Sequence, residues 1–211
     1  MAETNGVRLD AYLRERGLPF EVLRLFEGGE VPGALPSHLV VLGGQMSVND
    51  RAEYPFFEGE KGVIRRMVAE GRPVLGICLG AQMIASAFGG SVSPQERERG
   101  WRRVRGPLPG AGPRSPATFA VFHWHDETFH LPEGATLLSY GDTVRIQAFR
   151  LGSAVGVQFH PEVTLPIIAR WAGELNPPER EEILRESRRS LPGNARRCRS
   201  LLDAFVRGWS V

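Results

Sequence analysis

The chain has 211 residues, 42% of them hydrophobic, which is enough for one α/β domain with a sizeable core. Its formal charge is only +2, from 26 basic and 24 acidic residues, so the composition does not favour a nucleic-acid partner. Two cysteines exclude a disulfide framework, and no apolar run is long enough to span a bilayer. We therefore expect a single domain over residues 1–211, cytoplasmic, with free thiols and no membrane partner.

Patterns of helix and strand alternate in the first half of the chain. The expected elements are a helix over 7–16, strands over 20–26 and 39–44, a helix over 58–70, a strand over 73–77 and a helix over 79–88. This alternation predicts a mainly parallel central sheet. The chain begins with a helix pattern, whereas such sheets usually begin with a strand.

The second half of the chain is rich in strand patterns. We expect residues 91–116 to form a loop, because 106-GPLPGAGPRSP-116 is rich in turn residues. The expected strands then cover 118–124, 136–142, 145–151 and 154–159, with helices to the end of the chain. Consecutive strands predict an antiparallel extension of the sheet, and the fold class is α/β.

Cys78 lies between two glycines in 76-GICLG-80, where a strand pattern changes to a helix pattern. A lone cysteine is most often a small buried hydrophobe. The form G-x-nucleophile-x-G, however, is typical of a sharp strand-to-helix turn that exposes a nucleophile. There the helix N-terminus favours the thiolate, and the N–H of Leu79 is placed to bind an oxyanion.

A cysteine nucleophile needs a base, and His160 is the candidate. It ends the strand pattern of 154-AVGVQFHPEV-163, and Pro161 prevents the strand from continuing. Glu162 lies two residues further on the same face, where it can accept a hydrogen bond from one imidazole nitrogen. A histidine at a strand end is often only structural, so this interpretation depends on Cys78 being nearby.

The glycines of 42-LGGQMS-47 follow another strand pattern and offer a backbone N–H from a loop, with Gly44 as the candidate second oxyanion donor. With GGQMS, GICLGAQ and QFHPEV in this order, the chain resembles the class I glutamine amidotransferases. These triad glutaminases include the glutaminase domain of GMP synthase. The segments 98-ERGWRRV-104 and 122-FHWHDETFHLPEGATLL-138 are similar to stand-alone members of this family.

The resemblance implies a flavodoxin-like three-layer fold and hydrolysis of the side-chain amide of glutamine through a γ-glutamyl thioester. Carried over to this sequence, it assigns six residues: Cys78 as nucleophile, His160 as base, Glu162 as its orienting partner, Gly44 and Leu79 as oxyanion donors, and Gln82 as a glutamine contact. It implies no metal and no organic cofactor. The family's sheet begins with a strand that precedes the first helix, so we expect either a start further upstream or a sheet without this strand.

The resemblance leaves the substrate and partner open. We expect ammonia to pass to a separate acceptor enzyme, because the chain has no ATP-binding motif. A γ-glutamyl peptidase or hydrolase would use the same triad, and residues 91–116 would decide how open its pocket is. A partner-dependent subunit, silent on its own, is a further alternative.

The segment 123-HWHDE-127 places His123 and His125 on one strand face, which could indicate a metal site. A metal site needs a third ligand from another part of the chain, and the sequence indicates none. We therefore interpret this segment as a strand and turn near the rim of the active site.

Overall fold

The computed structural model describes residues 7–110 and 117–209, and a seven-stranded sheet is its largest element. The strands are β1 (Leu39–Val41), β2 (Val74–Ile77), β3 (Val92–Arg105), β4 (Thr118–Phe129), β5 (Thr136–Tyr140), β6 (Ile146–Leu151) and β7 (Ala154–Val157). The α-helices are α1 (Val7–Glu15), α2 (Phe56–Ala69), α3 (Leu79–Ala87), α4 (Leu165–Trp171) and α5 (Pro177–Val206). Short 3₁₀ helices cover Leu25–Glu27 and Ala172–Glu174.

The sheet is mixed, with the strand order β1-β2-β7-β6-β5-β3-β4. The expected antiparallel extension is present, but the parallel part is smaller than expected, because in the described sheet only the pairs β1/β2 and β2/β7 are parallel. The other four pairs are antiparallel. Among the described residues, no α-helix lies between β3 and β7, and short connections between neighbouring strands require antiparallel pairing.

Helices cover both faces of the parallel part of the sheet. Successive residues of a strand face opposite sides of the sheet, so neighbouring residues of β2 belong to different cores. Leu75 packs in a core with residues of α1 and α5, while Val74 packs in a core with residues of α2 and α3. None of the helices in the described ranges is long and apolar enough to cross a membrane.

The strand predicted over residues 20–26 is absent from the sheet. Part of this segment forms the 3₁₀ helix Leu25–Glu27, and Val22, Leu23 and Phe26 are exposed. Strand β1 is an edge of the described sheet and pairs only with β2. The segment makes no ladder hydrogen bonds with this edge, and without them its apolar pattern does not produce a strand.

The loop predicted over residues 91–116 contains the long strand β3, which pairs with β4 from Val92 to Arg105. The sequence does not predict this strand, because 94-PQERER-99 combines a proline with charged residues that have low strand propensity. Pairing is irregular between Pro94 and Glu98, where the ladder contains a bulge. Residues 111–116 of the predicted loop lie outside the described residues.

Candidate functional site

Cys78 occupies a sharp turn between β2 and α3. Its backbone has φ 54° and ψ −109°, a conformation that residues other than glycine rarely adopt. A Cβ atom on Gly76 would lie 2.5 Å from the carbonyl oxygen of Gly80, and one on Gly80 would lie 2.0 Å from that of Val41. Both glycines are therefore required by the close approach of strand and helix, as the motif predicts.

His160 and Glu162 form a buried pair just beyond β7. Nδ1 of His160 donates to Oε1 of Glu162 at 2.8 Å, and both side chains are almost fully buried. The backbone N–H of His160 donates to the carbonyl of Phe122 at 2.8 Å, which ties this segment to β4. The amide of Asn194, on α5, donates to the carbonyl of Pro161 at 3.0 Å. Glu162 thus orients the imidazole, and the bonds to β4 and from α5 fix the backbone that carries it.

The charge state of His160 follows from competing effects. Burial disfavours the imidazolium, but the negative charges of Glu162 and Cys78 and the hydrogen bond to Glu162 outweigh it, raising the pKa of His160 to about 10. An imidazolium at neutral pH stabilises an adjacent thiolate. The arrangement can therefore supply both a nucleophile and a proton donor.

Gly43 and Gly44, in the segment after β1, lie beside Cys78 and Leu79. A Cβ atom on Gly43 would lie 3.1 Å from Cε1 of His160 and 3.4 Å from Cβ of Cys78, so Gly43 packs against both side chains. One on Gly44 would lie 2.9 Å from Cδ2 of Leu79. The two residues predicted to supply oxyanion donors are therefore neighbours. Leu79 is the first residue of α3, where backbone N–H groups have no acceptor within the helix.

Two buried glutamines adjoin this site. Gln82, on the first turn of α3, donates from Nε2 to the carbonyl of Glu127 at 3.3 Å. Gln158 directs its Nε2 at Sγ of Cys78, 3.8 Å away. Our sequence analysis missed Gln158, although it lies two residues before His160 and therefore on the same side of an extended segment.

A second polar cluster is buried between β3 and β4. The sequence indicated no distant third ligand for His123 and His125, whereas the fold supplies Glu98. Its Oε2 lies 3.2 Å from Nδ1 of His123 and 3.1 Å from Nε2 of His125. Burial disfavours the carboxylate, but hydrogen bonds from both histidines outweigh it and hold the pKa of Glu98 below its usual range. Burial lowers the pKa of His123 to about 4.

The second cysteine, Cys198, lies on α5 and is 2% exposed. Burial, reinforced by the nearby charge of Glu162, raises its pKa to about 12. The thiol is therefore protonated at neutral pH, which suits a buried structural residue rather than a nucleophile.

Comparisons with known proteins agree with this geometry. Residues 4–167 match the model of the family "Glutamine amidotransferase class-I". A solved glutamine amidotransferase from Thermotoga maritima superposes with a TM-score of 0.86 and 32% identity, covering 94% of this chain and 91% of that one. The glutamine amidotransferase-like protein YfeJ of Salmonella typhimurium is 34% identical over 175 residues, which are 75% of this chain and 72% of YfeJ.

A third relative is the glutamine-hydrolysing GMP synthase of Neisseria gonorrhoeae, which is 32% identical over 145 residues. The match covers 64% of this chain but only 26% of the synthase. Because the family model matches most of the chain, the chain belongs to the class-I glutamine amidotransferase family.

Proposed function

We propose that this protein hydrolyses the side-chain amide of glutamine at Cys78 and supplies the ammonia to a separate acceptor enzyme. One observation carries the proposal: a cysteine with positive φ at a helix N-terminus lies beside a histidine that is hydrogen-bonded to a buried glutamate. Family membership supports the substrate class, because relatives are described as glutamine amidotransferases and as a glutamine-hydrolysing synthase.

The first half of the reaction forms a thioester. The Cys78 thiolate attacks the amide carbon of glutamine, and the carbonyl oxygen becomes an oxyanion. The N–H groups of Gly44 and Leu79 stabilise this charge. The His160 imidazolium then protonates the departing nitrogen, so that ammonia leaves and a γ-glutamyl thioester remains on Cys78.

The second half of the reaction restores the cysteine. Neutral His160 takes a proton from a water molecule, which attacks the thioester carbon. Collapse of the second oxyanion expels the thiolate and releases glutamate. Glu162 keeps the imidazole in one orientation throughout and stabilises its cationic form, which is present at the start and at the end of the cycle.

Two further side chains support this reaction. Gln158 directs an N–H at the sulfur of Cys78 and can stabilise the thiolate between turnovers. Gln82 is buried one helical turn after the cysteine, where the family resemblance assigns a contact to glutamine. Because its amide already bonds to the strand β4 carbonyl of Glu127, its position is fixed before substrate binds.

Ammonia release from L-glutamine tests the proposal. We expect the native chain to release ammonia and glutamate in equal amounts, and Cys78→Ala to release neither. The matched control is Cys198→Ala, which removes the other buried thiol and should retain activity. Release that persists in Cys78→Ala would overturn the assignment of the nucleophile.

Two additional measurements separate the alternatives. γ-Glutamyl dipeptides in the same assay detect a peptidase, which would cleave them faster than glutamine. Mass spectrometry after incubation with an electrophilic glutamine analogue detects a reactive Cys78 when turnover is absent. Labelling of Cys78 without ammonia release would indicate a subunit that depends on its acceptor enzyme.

A further inference from the structure

The cluster of Glu98, His123 and His125 is separate from the proposed reaction and has an unusual arrangement. His123 and His125 lie on one face of β4, and Glu98 is the register partner of His125 on β3. All three side chains are buried, with exposures of 3%, 0% and 5%. The bulge between Pro94 and Glu98 precedes the carboxylate and determines which residue of β3 meets His125.

Three donor atoms of this cluster form a nearly equilateral triangle. Oε2 of Glu98 lies 3.2 Å from Nδ1 of His123 and 3.1 Å from Nε2 of His125. The two nitrogens lie 3.3 Å from each other. Zinc bonds of about 2.0–2.1 Å at tetrahedral angles hold ligand atoms about 3.3 Å apart, which is close to these separations. An ion could bind all three atoms from about 1 Å above their plane.

Hydrogen bonding alone accounts poorly for this convergence. If both imidazoles donate to Oε2, their two N–H groups point at the same oxygen from nitrogens that are themselves in contact. The amide of Gln147 donates to that oxygen as well, at 3.1 Å. When a metal ion binds Nδ1 of His123 and Nε2 of His125 through their lone pairs, each neutral ring carries its proton on its other nitrogen, which removes the crowding of donors at Oε2.

Gln147 completes the surroundings of the carboxylate. Its Nε2 donates to Oε2 of Glu98 and also to the carbonyl of Val144 at 3.0 Å, and the side chain is fully buried. Carboxylates that bind metals are commonly fixed by such an outer hydrogen bond. The orientation of Glu98 is thus set by a neighbour that is not itself part of the triangle.

We propose that Glu98, His123 and His125 bind a divalent transition-metal ion of the zinc type, between β3 and β4. Two imidazoles and one carboxylate are a donor set that suits Zn²⁺, and the three atoms occupy one side of the ion. A fourth position stays open to a water molecule or another ligand. The ion would join the bulged part of β3 to β4, one residue from the Phe122 carbonyl that holds His160.

Zinc binding is measured with the full chain after metal is removed by a chelator. The Cys78→Ala variant is used throughout, so that the thiol and His160 do not form a competing site. We expect one Zn²⁺ per chain in competition with a chromophoric chelator. Glu98→Gln and His125→Gln should each weaken binding at least about tenfold. His130→Gln, which removes an exposed histidine, is the matched control and should leave the affinity unchanged.

Cobalt(II) gives a second measurement that needs no ligand variant. In the Cys78→Ala chain we expect the visible absorption of tetrahedral cobalt without a thiolate charge-transfer band. If Glu98→Gln and His125→Gln fail to fold, as judged by circular dichroism, the cobalt spectrum of the Cys78→Ala chain is the test of the proposed metal site. The proposal is overturned by the absence of that spectrum, or by zinc affinity that both ligand variants leave unchanged.

Discussion

Two buried clusters in this molecule each join an imidazole to a glutamate, yet their histidines titrate in opposite directions. At His160 the charges of Glu162 and Cys78 outweigh burial and raise the pKa to about 10. At His123 burial outweighs the attraction of Glu98 and lowers the pKa to about 4. The same two side-chain types thus give a cation in one place and a neutral ring in the other.

The third member of each cluster explains the difference. Cys78 can carry a negative charge, so His160 lies between two groups that attract a proton. His123 instead shares its carboxylate with a second imidazole, His125, which lowers the pKa further. The first arrangement suits proton transfer, whereas the second leaves His123 as a neutral ring.

In the comparison of the two clusters, the largest expected effect is on kcat and comes from Glu162→Gln, which removes a charge from the first cluster. An amide at this position no longer favours the imidazolium and can hold the ring in the wrong tautomer. We expect kcat for glutamine hydrolysis to fall by about 10²–10⁴-fold. The control is Glu60→Gln, which neutralises a glutamate of α2 far from both clusters in sequence. If Glu162→Gln kept a kcat close to that of the control, the pairing with His160 would not matter for catalysis.

The next largest expected effect is a difference in alkylation rate between the two cysteines. Cys78 lies beside an imidazolium, whereas burial raises the pKa of Cys198 to about 12. We expect iodoacetamide at pH 7 to alkylate Cys78 at least about 100-fold faster than Cys198, because the thiolate is the nucleophile. Peptide mapping by mass spectrometry gives both rates in one sample. Equal rates would contradict the proposed thiolate at the turn.

The site around Cys78 could be predicted because short segments specify it. Gly76 and Gly80 are needed for the turn whatever the rest of the sheet does, since Cβ atoms there would collide with backbone. Glu162 follows His160 by two residues, so their contact needs only an extended segment. Local patterns of this kind remain readable without knowledge of the fold.

The second cluster could not be predicted in the same way. Glu98 meets His125 only through the β3/β4 register, and a bulge within a charged, proline-containing segment sets that register. Residues 20–26 illustrate the opposite error in prediction. Their sequence has a good strand pattern, but they pair with no strand of the described sheet. Strand formation depends on pairing partners as well as on the residues themselves.

The raised pKa of His160 predicts how stability depends on pH. A histidine that titrates at about 10 when folded and about 6.5 when unfolded binds more protons in the folded state between these values. Cys78, however, has given up a proton as a thiolate, so between about pH 6.5 and 8.5 the folded and unfolded pairs hold the same number of protons. Above about pH 8.5, where an unfolded cysteine ionises, we expect the free energy of unfolding to fall by up to about 1.4 kcal/mol per pH unit until about pH 10.

Urea unfolding of the native chain and of His160→Gln at intervals from pH 6 to pH 10 isolates that contribution. The stability difference between the two proteins should stay level to about pH 8.5 and then shrink toward pH 10. A difference that stays constant up to pH 10 would mean that the Cys78–His160 pair binds no extra proton in the folded chain.

The smallest expected effect is on the free energy of unfolding, when Glu60 is replaced. This residue shows how a carboxyl titrates without an imidazole partner. Burial is the sole cause that raises its pKa, to about 7. Because the folded value is above the unfolded one, the chain loses stability as pH rises from about 4.5 to about 7, where the unfolded carboxyl is ionised and the folded one is not. Glu60→Gln should therefore stabilise the protein at pH 8 by about 1–2 kcal/mol, less than the full shift implies because the side chain is partly exposed. At pH 4 the two proteins should unfold at the same urea concentration, and a stabilisation that is equal at both pH values would exclude ionisation as its cause.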